Sequence, residues 1–167
     1  MAWFDDLTPC DYFGLHQADA LRAVGWLERG HPHSTGKVAS EVFAKLVELC
    51  HDPWQPVVAG GPHPCDLCVY RAEASCSANV FVPGDGVLYV SPILITHYMN
   101  AHGYAPPTAF CRAVLTCPPM RSIAYFNSVL ASGGRPLVQS ADAERLAAAS
   151  ASRYELGNAA KDSTSDS

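Results

Sequence analysis

Two cysteines three positions apart, Cys65 and Cys68, stand in the Gly/Pro-rich stretch GGPHPCDLCVY, with His63 two residues ahead of the first. Thiolates at that spacing can both reach one ion, because a tight turn between them points both sulfurs inward; a tetrahedral zinc site then needs two further ligands. The segment ILITHYMNAHGY supplies His97 and His102, a spacing within the range of zinc sites. On a regular helix these two would project about 140° apart. Both reach one ion only if the helix distorts or ends near Asn100, and Gly103 marks such an ending. The predicted metal ligands are therefore Cys65, Cys68, His97 and His102, holding one zinc ion. His63 competes for the fourth position or stands free beside the ion, and Cys76 is a further candidate in the loop that follows.

The same residues have other uses. A thioredoxin-like redox pair also reads Cys-x-x-Cys, but it opens a helix after a strand. Here HPCDLCVYRAEASC leads into a polar segment instead. Histidines 16, 31, 33 and 51 read as side chains satisfied by backbone or facing solvent, with His31 and His33 in GHPHSTG a weak second metal pair.

A DNA-reading finger keeps about 12 residues between its ligand pairs. In this chain 28 residues separate Cys68 from His97, and the histidine segment carries no Arg or Lys to reach bases. Sequence-specific DNA binding is accordingly not expected. A knuckle, a hairpin and a helix in that order resemble the treble-clef arrangement over residues 63 to 104, which implies a zinc-organised module and no particular activity.

The elements that must position these residues are partly visible. NVFVPGDGVLYV places two short β-branched and aromatic runs around Pro-Gly-Asp-Gly, a hairpin signal. Ser91 and Pro92 then read as the N-cap and first-turn proline of a helix ending at Gly103. KVASEVFAKLVELCHD reads as a helix capped by Ser40 and stopped by Pro53, with Val42, Phe43, Leu46, Val47, Leu49 and Cys50 on its buried face. ALRAVGWLE is a short strand or a helical turn ending near Gly25, RGHPHSTG is a loop, and PPTAFCRAVLTCPP and RSIAYFNSVLASGG are two more short helices. The fold class is α+β: a small zinc knuckle, a β-hairpin and a helix packed with several short helices.

The 167 residues suit one core, and 49% hydrophobic against 16% charged residues is ample for a packed globule. Residues 1–137 form the expected domain, and the Ala/Ser/Asp-rich residues 138–167 a mostly disordered tail. Lys and Arg number 11 and never cluster, and the net charge is -5, which argues against a broad phosphate-binding surface. The start, MAWFDDLTPC, lacks the basic and apolar pattern of a secretory signal, and no apolar run is long enough to cross a membrane. A cytoplasmic protein is the default, and its seven cysteines are then not a disulfide framework. Cys10, Cys50, Cys111 and Cys117 read as small buried hydrophobes.

The phrases FDDLTPCDYF, AVGWLERGHP, GGPHPCDLC, FVPGDGVLYVSPILITHYMNAHGYAPP and CPPMRS together resemble an uncharacterised bacterial family, over residues 3 to about 126. The resemblance implies that Trp26, His63, Cys65, Cys68, Gly84, Gly86, His97 and Tyr104 work as one unit, and it carries no catalytic role. Two functions are open. In the preferred one the zinc site is structural and the protein is a binding or regulatory module with a protein partner. Aromatic residues Trp3, Phe4, Tyr12, Phe13, Trp26, Trp54 and Tyr104 would then serve partly as core and partly as contact surface. In the alternative, Cys65, Cys68 and His97 leave a fourth position open for water in a metal-dependent hydrolase or nuclease, with His63, His102, Asp66 or Asp85 as base.

Overall fold

Short strands and short helices, grouped more than alternating along the chain, give an α+β fold. The computed structural model describes residues 2–14, 18–57, 61–69, 74–139 and 141. After a 3-10 turn at Ala18–Ala20 come β1 (Leu21–Ala23), α1 (Ser40–His51), β2 (His63–Pro64), β3 (Ser75–Cys76), β4 (Asn79–Pro83), β5 (Leu88–Pro92), α2 (Ile95–His102), α3 (Thr108–Thr116) and α4 (Ile123–Ala131).

The expected hairpin is β4–β5, paired antiparallel from Pro83 opposite Leu88 to Asn79 opposite Pro92. β1 adds to its far edge in parallel, Leu21 opposite Leu88 and Ala23 opposite Val90, giving the order β1-β5-β4. Every residue of β4 and β5 is buried. That requires cover on both faces and suits the unbroken apolar runs of these strands. Trp26, Phe81, Tyr98, Tyr104, Phe110 and Tyr125 fill the core. Two of its polar tips are satisfied by the strands: the Trp26 indole N–H donates to Val90 O at 3.1 Å and the Tyr125 hydroxyl to Phe81 O at 2.8 Å.

Three local expectations change. Ser91 and Pro92 end β5 and do not begin a helix: pairing with Val80 and Asn79 holds them extended, and α2 starts at Ile95 without a side-chain cap. Ser40 is the first residue of α1, whose N-cap is Ala39. The buried stripe of α1 narrows to Val42, Leu46 and Leu49, with Val47 46% exposed.

Two glycines fix where the site-bearing elements sit. Gly25, at φ +69°, turns the chain out of β1, and a Cβ there would press on Ile95 at the start of α2. Gly103, at φ +64°, ends α2, its N–H and that of Tyr104 both donating to Tyr98 O. Just beyond, Gly36 N–H donates to Gly103 O and Ala105 N–H to Ser34 O, so the loop before α1 pins the end of α2. Helical structure resumes at residues 135–139, where Leu137 is buried in the core. Of the expected tail, residues 138–167, only 138, 139 and 141 are described, and these are helical; the rest lies outside the described residues. Among the described residues no helix is long and apolar enough to cross a membrane.

Candidate metal centre

Cys65 and Cys68 occupy a turn at the end of a small ribbon. β2 and β3 pair antiparallel, His63 opposite Cys76, and Cys65 N–H donates to Ala74 O at 2.8 Å. A strand pair this short cannot hold itself in water, so neighbours must support it. Among the described residues one such neighbour is Arg29, from the loop after the core residues Trp26 and Leu27. Its N–H donates to Asp66 Oδ2 at 3.1 Å, its Nε to Asp66 O at 2.9 Å and a guanidinium NH2 to Cys68 O at 3.0 Å.

Opposite the knuckle stands α2, which leaves the hairpin two residues after β5. It brings His97 and His102 to the same point. Cys68 Sγ lies 3.2 Å from His97 Nε2 and 3.5 Å from His102 Nε2, Cys65 Sγ lies 3.4 Å from His102 Nε2, and the two Nε2 atoms are 3.2 Å apart. All four donor atoms fall within 4.8 Å of one another and could hold a metal ion. The cysteines are buried and the histidines half-buried. α2 runs to His102 and not merely to Asn100. The divergence of an ideal helix is overcome at its final residue, where the left-handed Gly103 follows, and the two imidazoles meet edge to face with ring centroids 5.0 Å apart.

Between the two histidines in sequence, Tyr98 packs its ring 6.0 Å from the His97 ring and 6.3 Å from the His102 ring. Its buried hydroxyl has no hydrogen-bond partner among the described residues. Burial, and then the nearby Cys65, Cys76, Asp66 and Cys68, push this phenol well above its ordinary range.

The remaining candidates are placed elsewhere. Cys76 is not among the four, and its Sγ faces Ala78 O. The Asp66 carboxylate accepts the Arg29 N–H. Asp85 sits exposed in the turn of the hairpin with Gly84 and Gly86, and a Cβ on Gly84 would run into the Tyr89 ring. His31 stacks on Trp3, with ring centroids 4.0 Å apart, and His33 lies against Tyr104. The backbone of His63 belongs to β2, while its side chain lies outside the described residues, as does His16. Tyr104 is buried and gives its hydroxyl to Asp6, at 2.8 and 2.9 Å from the two carboxylate oxygens. Arg29 and Asp6 carry no signal in the sequence, since each meets its partners only through folding, from 37 to 39 residues away for Arg29 and 98 for the Asp6–Tyr104 contact.

No curated protein and no solved structure matches the chain. A family described as Domain of unknown function (DUF7919) matches residues 2–115, a span that contains the knuckle, the hairpin, α2 and all four residues of the cluster. With more than half its length matched, the chain belongs to the DUF7919 family.

Proposed function

We propose that the protein is a small zinc-binding module in which Cys65, Cys68, His97 and His102 hold one Zn²⁺ in a structural role. The observation that carries this reading is the mutual spacing of the four donor atoms. Zinc bonds of about 2.3 Å to sulfur and about 2.0–2.1 Å to nitrogen give tetrahedral edges of about 3.5 Å for S···N and about 3.3 Å for N···N. The corresponding contacts here are 3.2–3.5 Å and 3.2 Å. Thiolate and imidazole together suit zinc better than calcium or magnesium, which take oxygen.

Four protein ligands close a tetrahedral site and leave no position for a water nucleophile. That supports the structural role over the hydrolase or nuclease reading, which needs an open fourth position. Zinc would then act as a cross-link between the knuckle and α2, two elements too short to hold each other by apolar burial alone. Its binding free energy becomes folding free energy. The function that follows is that of a binding or regulatory module acting on a protein partner. Nothing on α2 favours nucleic acid, because Ile95–His102 has no Lys or Arg.

Metal analysis of the purified chain tests the reading. About one zinc per chain is expected, and Cys68→Ser should lose both the zinc and cooperative unfolding. Wild-type protein without bound zinc overturns the proposal. Zinc loss in a variant that still folds as wild type would return the catalytic alternative.

A further inference from the structure

Arg29 is exposed, and among the described residues its guanidinium makes no ion pair with a carboxylate; two of the bonds it forms there go to backbone carbonyls of the knuckle. Those carbonyls, of Asp66 and Cys68, lie inside and at the end of the Cys-x-x-Cys turn. The third bond, from the Arg29 N–H to Asp66 Oδ2, ties the residue directly after Cys65. The direction in which the two sulfurs point depends on the peptide planes of residues 65 to 68, and Arg29 fixes two of those planes from outside.

Resting on the zinc reading above, we propose that Arg29 is a positioning residue of the metal centre, a two-pronged strap that holds the Cys-x-x-Cys turn with both sulfurs facing α2. The planar guanidinium matters, because Nε and a terminal NH2 present near-parallel N–H bonds at a fixed spacing on one edge and reach two carbonyls at once. A lysine offers a point charge that serves one carbonyl at a time. Residues that orient metal ligands from one shell out typically change metal affinity about 10–100-fold when removed. The exposed position of Arg29 places its effect near the lower end of that range.

Arg29→Ala and Arg29→Lys, compared with wild type, test the proposal by zinc competition against a chromophoric chelator. Melting is measured in parallel, with zinc and with excess chelator. Both variants should still load about one zinc, Arg29→Ala with roughly tenfold weaker affinity and Arg29→Lys between it and wild type. The upward shift in Tm that zinc confers should shrink in Arg29→Ala, and the cobalt-loaded variant should show altered visible bands. A merely structural arginine would lower Tm equally with and without metal and leave affinity and spectrum alone; that result overturns the proposal. Should Arg29→Ala fail to fold, Arg29→Lys decides alone, and wild-type zinc affinity in it overturns the proposal. A wild type that binds no zinc is read separately: it removes the zinc reading itself, and the role of Arg29 with it.

Discussion

The Nε2 atoms of His97 and His102 stand 3.2 Å apart across five residues of one short helix. Two neutral imidazoles meeting through these nitrogens share at most one productive N–H, and Cys68 Sγ lies within 3.5 Å of both. Four groups that each lose a proton or present a lone pair to bind metal, brought to one point, would be reconciled by a cation at their centre. Replacing either histidine should therefore cost more than a residue one shell out. His97→Ala and His102→Ala are each expected to weaken zinc binding by more than about 100-fold, whereas His63→Ala should retain one zinc per chain. A chelator competition on the three variants checks this. Loss of the metal in His63→Ala with retention in His102→Ala would reassign the fourth ligand.

The seven cysteines should separate by reactivity. Burial pushes the thiols of Cys10 and Cys117 up to about 11 and that of Cys50 up to about 12, so these remain protonated and poorly nucleophilic near neutral pH. Cys65 and Cys68 are buried as well, and zinc bound as proposed would block them. Chelation should raise iodoacetamide labelling of Cys65 and Cys68 by about tenfold or more at pH 7.5 and leave Cys50 unlabelled. Peptide mass mapping before and after chelation reads this directly. Equal labelling of the pair in both states would mean that no metal sits on the sulfurs.

Tyr98 makes a prediction of opposite sign to most core substitutions. Its hydroxyl is buried and has no hydrogen-bond partner among the described residues. An unpaired buried hydroxyl costs about 1–3 kcal/mol, while its ring contributes the packing against His97 and His102. Tyr98→Phe keeps the ring and removes the hydroxyl. The variant should be at least as stable as wild type in urea unfolding, with unchanged zinc affinity. A loss of more than about 1 kcal/mol, or weaker zinc binding, would show that the hydroxyl serves the thiolates beside it.

What could be read in the sequence was local chemistry. The hairpin was legible because Pro-Gly-Asp-Gly between two β-branched runs encodes its own turn, and the Cys/His set because thiolates and imidazoles at these spacings have few other uses. Ser91-Pro92 carries the local signature of a helix start, yet register with Val80 and Asn79 overrides it, and pairing across a sheet cannot be seen in a single segment. Val47 shows the same limit: helical periodicity placed it on the buried face, but only Val42, Leu46 and Leu49 of that face are fully buried, and Val47 is exposed. Arg29 and Asp6 were invisible because their partners are distant in the chain and their residue types are ordinary on a surface. The convergence of His97 and His102 turned on where α2 ends, and element boundaries are what periodicity specifies least.

Asp6 ties three separate parts of the fold together. Its Oδ1 accepts the Gly25 N–H at 2.9 Å and the Tyr104 hydroxyl at 2.8 Å, joining the N-terminal segment, the exit from β1 and the end of α2. Asp6→Ala orphans both donors and should cost about 2–4 kcal/mol. Asp6→Asn keeps an oxygen for both bonds and should cost far less. Burial raises the Asp6 carboxyl above its ordinary value of 3.8, the Gly25 and Tyr104 bonds pull it down, neighbouring Asp5 raises it and His33 lowers it. A raised carboxyl pKa means that the folded state holds the proton more tightly than the unfolded chain. The stability tied to that proton is fully present below pH 3.8 and is lost as pH rises through the raised folded-state value. Asparagine mimics the protonated form and has no such loss. The stability of Asp6→Asn relative to wild type should therefore climb as pH rises past the ordinary carboxyl value of 3.8 and level off once the folded-state carboxyl is ionised, as measured by urea unfolding at half-unit steps. A difference that falls over this interval would mean that the two hydrogen bonds outweigh burial and that the carboxylate form is the one the fold prefers.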